Sequence, residues 1–413
     1  MESKFYLYSV CAYIVYVICT ITHTFIPSIA GTIFPIYILL ISIVLYPQRL
    51  FKNKAFLWGC VYSLVLALIL QDHKVSGFGY GKGGYDTFLI DIAFTLPAIA
   101  IGAIFYKSND EKAFKYITNA TVISLVISYA FVLPVAIVNI AFIRQLALIS
   151  WTETDAPAQV AQYTSGFWGY TMFHIVSLLF ATLWGYSRYC QGKKKVFYTV
   201  LAIITLYIVF AASITTTLIY IIFTCAAIVY HSLDHHKTLA AIMVIIVGSI
   251  AFVNVGPILD FLLDIYKGTD AEPKLLDFKD IVNGGTGYHG TIDGRVNYQQ
   301  DAIDAFKESP IFGNSYKGGG HSILLNRLGS GGLILFIPYF LMLLSEFKQW
   351  YKQIPKVSKL YFLLSWLGAV VLLYNKNVFG QEGFLFISIV IPALCMLYPK
   401  MYIQKLHNSQ RHN

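Results

Sequence analysis

The sequence predicts an all-α polytopic membrane protein with about twelve transmembrane helices and a long external loop before the last three. Composition is the first reason: 57% of the 413 residues are hydrophobic and only 12% are charged, whereas soluble domains carry about 25% charged residues. The second is a series of apolar runs long enough to cross roughly 30 Å of hydrocarbon. No internal repeat or Pro-rich linker divides the chain, so residues 1–413 are predicted to form a single membrane domain.

Each predicted span is an apolar run bounded by polar or charged positions. The first begins at Phe5 and is not followed by a small-residue cleavage signature, so it is predicted to be a retained helix rather than a signal peptide. The seventh and eighth runs are separated only by residues 213–217 and form either one hairpin or one broken element. The runs are 5–22, 29–46, 55–70, 87–106, 117–141, 166–187, 196–213, 216–231, 238–257, 322–344, 360–374 and 383–398.

The basic residues predict the orientation of these spans. Most Lys and Arg fall in loops on one side of the predicted membrane, whereas the short loops of the other side hold Lys74, Lys82, Arg144 and Lys376. Because cytoplasmic loops carry an excess of Lys and Arg, both termini are predicted to be cytoplasmic and the long loop external. The net charge of +9 follows from this pattern, so no nucleic-acid partner is predicted.

The long external loop, residues 258–321, contains one predicted helix at about 295–308. Its apolar residues fall on one face of the helix, with glutamine, aspartate and lysine on the other. Ser309-Pro310 ends it, because the residue before a proline leaves the helical region. The expected pose is an interfacial helix with its apolar side toward the membrane. The apolar face comprises Val296, Ala302, Ile303 and Phe306.

Arg295 stands at the start of this helix, where a cation is unfavourable for the helix dipole. Two explanations stay open. An anionic ligand such as a pyrophosphate would bind the guanidinium through bidentate hydrogen bonds. The alternative is an ion pair with Asp293 or a contact to a lipid headgroup.

His321 follows three glycines and stands where the chain enters the next span. With an intrinsic pKa of about 6.5, an accessible imidazole can accept or donate a proton. His321 is therefore a candidate catalytic residue. The alternative is a histidine that caps the helix or contacts a headgroup.

Arg327 lies inside that span. A charge at the bilayer centre costs at least ~2.5–3.5 kcal/mol, so its side chain faces protein or water, or reaches outward to the surface. Asn326 falls on or near the same side of the helix, and Asp91 and His174 are also within spans. These are candidate counter-charges or parts of a polar cavity, and Arg327 is a candidate ligand for an anionic substrate.

Two more cations lie in predicted external loops: Lys82 in the glycine-rich segment 76–86 is a candidate phosphate ligand, and Arg144 stands at the start of the 144–165 loop. A flexible turn and a solvated loop are the alternatives. The glycine-rich segment lacks P-loop order, so nucleotide binding is not predicted. The six cysteines show no CxxC spacing, and the external carboxylates form no DxD cluster, so neither a metal nor a cofactor is predicted.

Residues 294–332 contain, in order, an Arg that opens a loop helix, the segment FKESPIFG at 306–313, a glycine-led His at the start of a span, and GSGG at 329–332. In this order the segment resembles the signature region of the O-antigen polymerase/ligase superfamily of bacterial membrane glycosyltransferases. The arrangement of about twelve spans with a long external loop before the final few is also similar, along the full length.

The resemblance implies glycosyl transfer in the bacterial inner membrane, with a donor oligosaccharide on undecaprenyl pyrophosphate, as in lipopolysaccharide O-antigen biosynthesis. Arg295 would neutralise the departing pyrophosphate together with Arg327, Arg144 and Lys82, and His321 would act on the acceptor hydroxyl as general base. The implied partners are lipid-linked donor and acceptor, membrane lipids and a chain-length regulator. No cofactor is implied.

Two departures from the family pattern favour a polymerase over a ligase. Ser322 follows His321 where ligases usually have Asn, and residues 213–217 lack the Arg that ligases tend to carry in that hairpin. A ligase that moves the finished chain to a lipid acceptor is one alternative. Another is a transporter of lipid-linked oligosaccharide, which would concentrate polar groups at the midplane in broken helices.

Overall fold

The structure, a computed structural model, is helical wherever it describes the chain. The described ranges contain turns but no β-strand, which confirms the all-α class for this part of the protein. The predicted runs 166–187 and 216–231, all of 196–213 except residue 202, and most of 238–257 lie outside this part. The described residues are 3–19, 30–70, 85–108, 110–138, 202, 255–268, 272–283, 292–314, 322–375 and 380–397.

Twelve helices within these ranges are numbered here in chain order, and a 3₁₀ turn at Lys356–Ser358 precedes α11. The N-terminal six are α1 Lys4–Ile18, α2 Ala30–Leu45, α3 Pro47–Phe51, α4 Lys54–Leu70, α5 Tyr85–Phe105 and α6 Glu111–Val138. The C-terminal six are α7 Val255–Ile265, α8 Glu272–Val282, α9 Ile292–Glu308, α10 Ile323–Gln353, α11 Lys359–Asn375 and α12 Gly380–Leu397, the last with a π-helical turn at Phe386–Val390.

Two helices in the described ranges, α10 and α12, are long and apolar enough to cross a membrane. Five shorter apolar helices accompany them, at 4–18, 33–45, 54–69, 91–105 and 359–374. Each coincides with one of the predicted runs. The count of about twelve spans stays a prediction.

Local sequence explains several helix ends. Asn53 caps the start of α4, its Oδ1 accepting a hydrogen bond from the Phe56 N–H at 3.1 Å. Pro47 occupies the first turn of α3, where its missing N–H costs nothing. α10 ends just before Ile354-Pro355, since the residue preceding a proline leaves the helical region.

Helices α5 and α12 form the buried middle of the described bundle. α5 packs against α2, α4 and α12, and its residues 98–105 are buried around the whole circumference of the helix. A Cβ at Gly102 would collide with the Glu346 carboxylate of α10 and lie 2.8 Å from the Ser388 carbonyl in the π-helical turn of α12. Gly102 therefore lets three helices approach closely.

Helices α4 and α10 run antiparallel, which gives the described bundle two distinct ends. Asn53 at the start of α4 contacts Gln349 near the end of α10, whereas Tyr62 further along α4 contacts Arg327 near the start of α10. Outward faces of both helices expose large apolar side chains, among them Leu64 (65% exposed) and Phe340 (47%).

The segment that is predicted to be external contains two helices that the sequence did not predict. α7 and α8 pack against each other, and Lys279 forms an ion pair with Asp260 across them. The third helix, α9, covers the predicted 295–308 and begins three residues earlier, at Ile292.

Candidate functional site

Helix α9 packs closely on the first part of α10. Ala302 and Ala305 are its buried contact residues, joined by the partly buried Ile303 and Phe306. The backbones approach so closely that a Cβ at Gly329 would lie 2.6 Å from the Ala302 carbonyl oxygen. Small residues at such a crossing allow the helices to meet backbone to backbone.

Helix α10 is broken at Gly332, and the chain that leaves α9 enters the break. Gly332 has φ +59° and ψ −161°, outside the helical region. At the break, the N–H groups of Leu333 and Ile334 would lack helical acceptors. They donate instead to the carbonyls of Pro310 at 2.9 Å and Ile311 at 3.1 Å.

The C-terminal end of the same loop is hydrogen-bonded to the last turn of α10 before the break. The Asn314 N–H donates to the Gly329 carbonyl at 2.8 Å. Gly313, with φ +73°, passes so close that a Cβ there would lie 2.5 Å from the backbone nitrogens of Gly331 and Gly332. The segments SPIFGN at 309–314 and GSGG at 329–332 therefore form one interlocked backbone unit, hereafter the loop–break unit.

Arg327 lies in the first part of α10 and is 3% exposed. Its guanidinium forms an ion pair with Asp91 of α5, and Nε donates to the Tyr62 hydroxyl of α4 at 2.7 Å. Tyr62 in turn donates to the second Asp91 carboxylate oxygen at 2.7 Å. Three helices are thus joined by one closed hydrogen-bonded group.

The ring of Tyr339 completes the surroundings of the guanidinium, with Arg327 Cζ 5.9 Å from the ring centroid. Twelve residues of straight helix would separate these two positions by about 18 Å. The break at Gly332 brings them together. A buried ion pair of this kind replaces hydration with fixed partners, so losing one partner leaves an uncompensated charge.

Two buried polar atoms beside this group have no hydrogen-bond partner among the described residues: Asn326 Oδ1 and Ser330 Oγ. They stand one helical turn apart on α10, on either side of Arg327 along the chain. Unpaired buried polar atoms are unfavourable and uncommon in native proteins, so each calls for a partner such as water or a ligand.

The structure describes some of the predicted site residues and not others. Arg327 is held by Asp91 and Tyr62, so the counter-charge role proposed for Asp91 is confirmed; phosphate binding by Arg327 stays a prediction. Arg295 is the fourth residue of α9. His321, Lys82 and Arg144 lie outside the described residues.

Ser322, the residue that departs from the ligase pattern, has a structural role. It is the N-cap of α10, and its Oγ accepts from the Leu325 N–H at 3.2 Å. His321 therefore directly precedes the cap of the helix that carries Arg327.

Sequence reasoning missed Tyr62 and Tyr339, and it treated the glycines at 329–332 as a motif without seeing a helix break. Glycines inside a predicted span were the available signal for the break. No comparable signal marked the tyrosines among the thirty in the chain. Within the described ranges, no group of three or more His, Cys, Asp or Glu side chains is arranged to hold a metal ion.

Comparison of the sequence with protein-family models found no match, and a search of curated proteins found none either.

Proposed function

We propose that this chain is an inner-membrane polymerase of surface polysaccharide, which joins repeat units carried on undecaprenyl pyrophosphate. The observation that carries the proposal is the loop–break unit. The two segments that resemble the O-antigen polymerase/ligase signature contact each other there, beside Arg327 and the unpartnered atoms of Asn326 and Ser330. In this proposal the chain has about twelve spans, both termini are cytoplasmic and the site opens to the external side.

The proposed reaction is a single glycosyl transfer. His321 accepts the proton of an acceptor sugar hydroxyl, whose oxygen attacks the anomeric carbon of the donor. The bond from that carbon to the pyrophosphate oxygen breaks, and undecaprenyl pyrophosphate leaves. Arg295, with Arg144 and Lys82, neutralises the charge that grows on the leaving group. The cationic side chains supply this charge stabilisation, so the proposed step uses no cofactor.

Arg327 has a positioning role in the resting protein. Its charge is already balanced by Asp91, and it holds the first part of α10 against α4 and α5. Contact with the pyrophosphate would require it to share its guanidinium between Asp91 and the substrate. The lipid-linked acceptor and a chain-length regulator are the proposed partners.

The test is the surface-polysaccharide ladder of a deletion strain complemented with wild type, His321→Ala, Arg295→Ala or Lys307→Ala. Lys307 is the matched control, an exposed cation on the same helix. The proposal expects surface lipid bearing a single repeat unit with His321→Ala and with Arg295→Ala, and a full ladder with Lys307→Ala. Membrane levels of each variant are measured by immunoblot.

Two other outcomes would contradict the proposed polymerase activity or its assigned residues. Loss of all attached sugar, with long polymer accumulating on undecaprenyl pyrophosphate, would identify a ligase. A full ladder from both His321→Ala and Arg295→Ala would remove these residues from the chemistry.

The broken helix α10 favours a second candidate, a transporter of lipid-linked oligosaccharide. Discontinuous helices with buried charges near the membrane midplane are typical of transporters. Tyr62, which contacts the buried Arg327, lies eight residues from Lys54, about 12 Å along α4 from the basic end of the bundle. In that case the deletion strain would retain repeat units on the cytoplasmic leaflet and display no single-repeat lipid at its surface.

A further inference from the structure

A cavity of about 670 Å³ lies at the end of the bundle opposite the loop–break unit. Its walls come from the α3–α4 junction, the end of α5 and the last turns of α10. No Asp or Glu belongs to the described lining. Six cationic side chains surround it: Arg49, Lys52, Lys54, Lys107, Lys348 and Lys352.

A hydrogen-bonded pair of polar side chains, Asn53 and Gln349, forms part of the cavity lining. Asn53 is buried, and its Nδ2 donates to Gln349 Oε1 at 2.7 Å. Because Asn53 also caps α4, the positive end of that 17-residue helix faces the cavity. Gln349 donates in turn to Glu346, which is fully buried, does not line the cavity and also accepts from Trp350 Nε1 at 3.1 Å.

Of the six cations around the cavity, Arg49 is held by contacts within the protein, whereas the five lysines can contact a bound anion. Arg49 Nη1 donates to the Ile104 carbonyl at 3.1 Å, and its guanidinium stands 5.3 Å from the Tyr46 ring centroid. The five lysines are exposed, and within the described residues none forms an ion pair with a carboxylate. A cavity with this charge and no carboxylate in its described lining is suited to a phosphate group.

An exposed apolar stripe begins one turn from the cavity. It continues from Lys54 along the outer face of α4 at the spacing of a single helix side. Such a stripe beside a cationic cavity fits a molecule with an anionic head and an apolar tail. Its members are Leu57 (40% exposed), Val61 (43%), Leu64 (65%) and Leu68 (59%).

We propose that this cavity binds the phosphate headgroup of an anionic phospholipid, with an acyl chain along the α4 stripe. Basic pockets between membrane helices on the cytoplasmic side are suited to such headgroups. The inference rests on the proposed membrane location and orientation but not on the proposed glycosyl transfer.

The test compares two double variants of the full chain that remove the same charge from the same end of the bundle. Lys348→Gln/Lys352→Gln changes the cavity, and Lys112→Gln/Lys115→Gln changes exposed lysines that do not line it. Each protein is reconstituted in phosphatidylcholine nanodiscs with a minor fraction of phosphatidylglycerol. Retained phosphatidylglycerol is then counted by native mass spectrometry, and thermal midpoints in pure phosphatidylcholine show that each variant is folded.

The expected result is a roughly 25-fold weaker retention of phosphatidylglycerol in the cavity variant, since each lysine near an anionic headgroup contributes about fivefold. The control variant should retain it as wild type does. Equal loss in both variants would overturn the proposal, because it would show general attraction to a basic surface. Displacement of the lipid by millimolar inorganic phosphate, with equal thermal stabilisation by phosphate alone, would overturn the lipid assignment and identify a site for free phosphate.

Discussion

Arg327 is the clearest case of a charge that its surroundings explain. Its guanidinium, 3% exposed, meets the Asp91 carboxylate, the Tyr62 hydroxyl and the face of Tyr339. The attraction within such a pair offsets the desolvation of both ions only while both are present. The stability of the first part of α10 should therefore depend on the pair rather than on either residue.

Asp91→Asn should destabilise the protein by about 3–5 kcal/mol, because it leaves Arg327 buried without a counter-charge. The double variant Asp91→Asn/Arg327→Met should be markedly more stable than this single variant. Unfolding of the purified chain in mixed detergent, followed by circular dichroism, measures both. Additive losses from the two substitutions would show that the residues do not act as a pair.

Gly332 is a residue whose conformation requires the absence of a side chain. Gly332→Ala should cost about 1–3 kcal/mol, since the positive φ is strained for alanine and the new Cβ would collide with the Ile311 carbonyl. Gly256→Ala is the control, because nothing lies within 4 Å of a Cβ at that helical glycine, and it should be neutral or slightly stabilising. Thermal midpoints compare the two variants; equal shifts would contradict the strained break.

At the scale of elements, α9 and α10 behave as one unit because α9 packs on α10 and the loop that follows α9 is hydrogen-bonded to the α10 backbone. The loop after α9 supplies acceptors to the second part of α10 and a donor to the first. A broken helix in an apolar environment needs such partners, since water is absent there to satisfy the free backbone groups. The break therefore depends on the loop that follows α9.

Overpacking the α9–α10 contact should detach α9. Ala302→Leu places a large side chain against Gly329 and should cost about 1–3 kcal/mol. Asp301→Leu adds similar bulk at the neighbouring exposed position and should leave docking intact. Hydrogen exchange of the α9 amides reports the difference, and equal protection in both variants would contradict the observed packing.

At the scale of the whole molecule, the described helices have one cationic end and one end formed by the loop–break unit. The cations of the first end come from sequence positions as distant as Arg49 and Lys352, and antiparallel packing of α4 on α10 brings them together. The proposed orientation places this end in the cytoplasm, because cytoplasmic loops carry an excess of Lys and Arg.

Cysteine labelling tests this orientation. In a cysteine-free background, Asp301→Cys on α9 should react with an impermeant maleimide in intact spheroplasts. Lys352→Cys should react only after the membrane is permeabilised. Both positions are exposed in the described structure, so burial does not protect either. The reverse pattern would invert the proposed topology and move the proposed site to the cytoplasm.

Local sequence was enough to predict the helical class, the apolar helices of the described ranges, the end of α9 at Ser309-Pro310 and the presence of a charge within α10. These follow from composition, helical periodicity and the stereochemistry of proline, which act over a few residues. Arg295, His321, Lys82 and Arg144 were chosen on the same kind of signal, and their roles stay predictions.

Tertiary structure decided how those pieces are joined. Arg327 and Asp91 are 236 residues apart in the chain, and no periodicity relates them. Gly313 and Gly332 contact each other backbone to backbone at the helix break. The hydrophobicity of the run does not reveal this break. The cationic cavity likewise draws on three separate segments. Such contacts depend on how helices pack in space, and that packing is set by complementarity between distant surfaces rather than by local pattern.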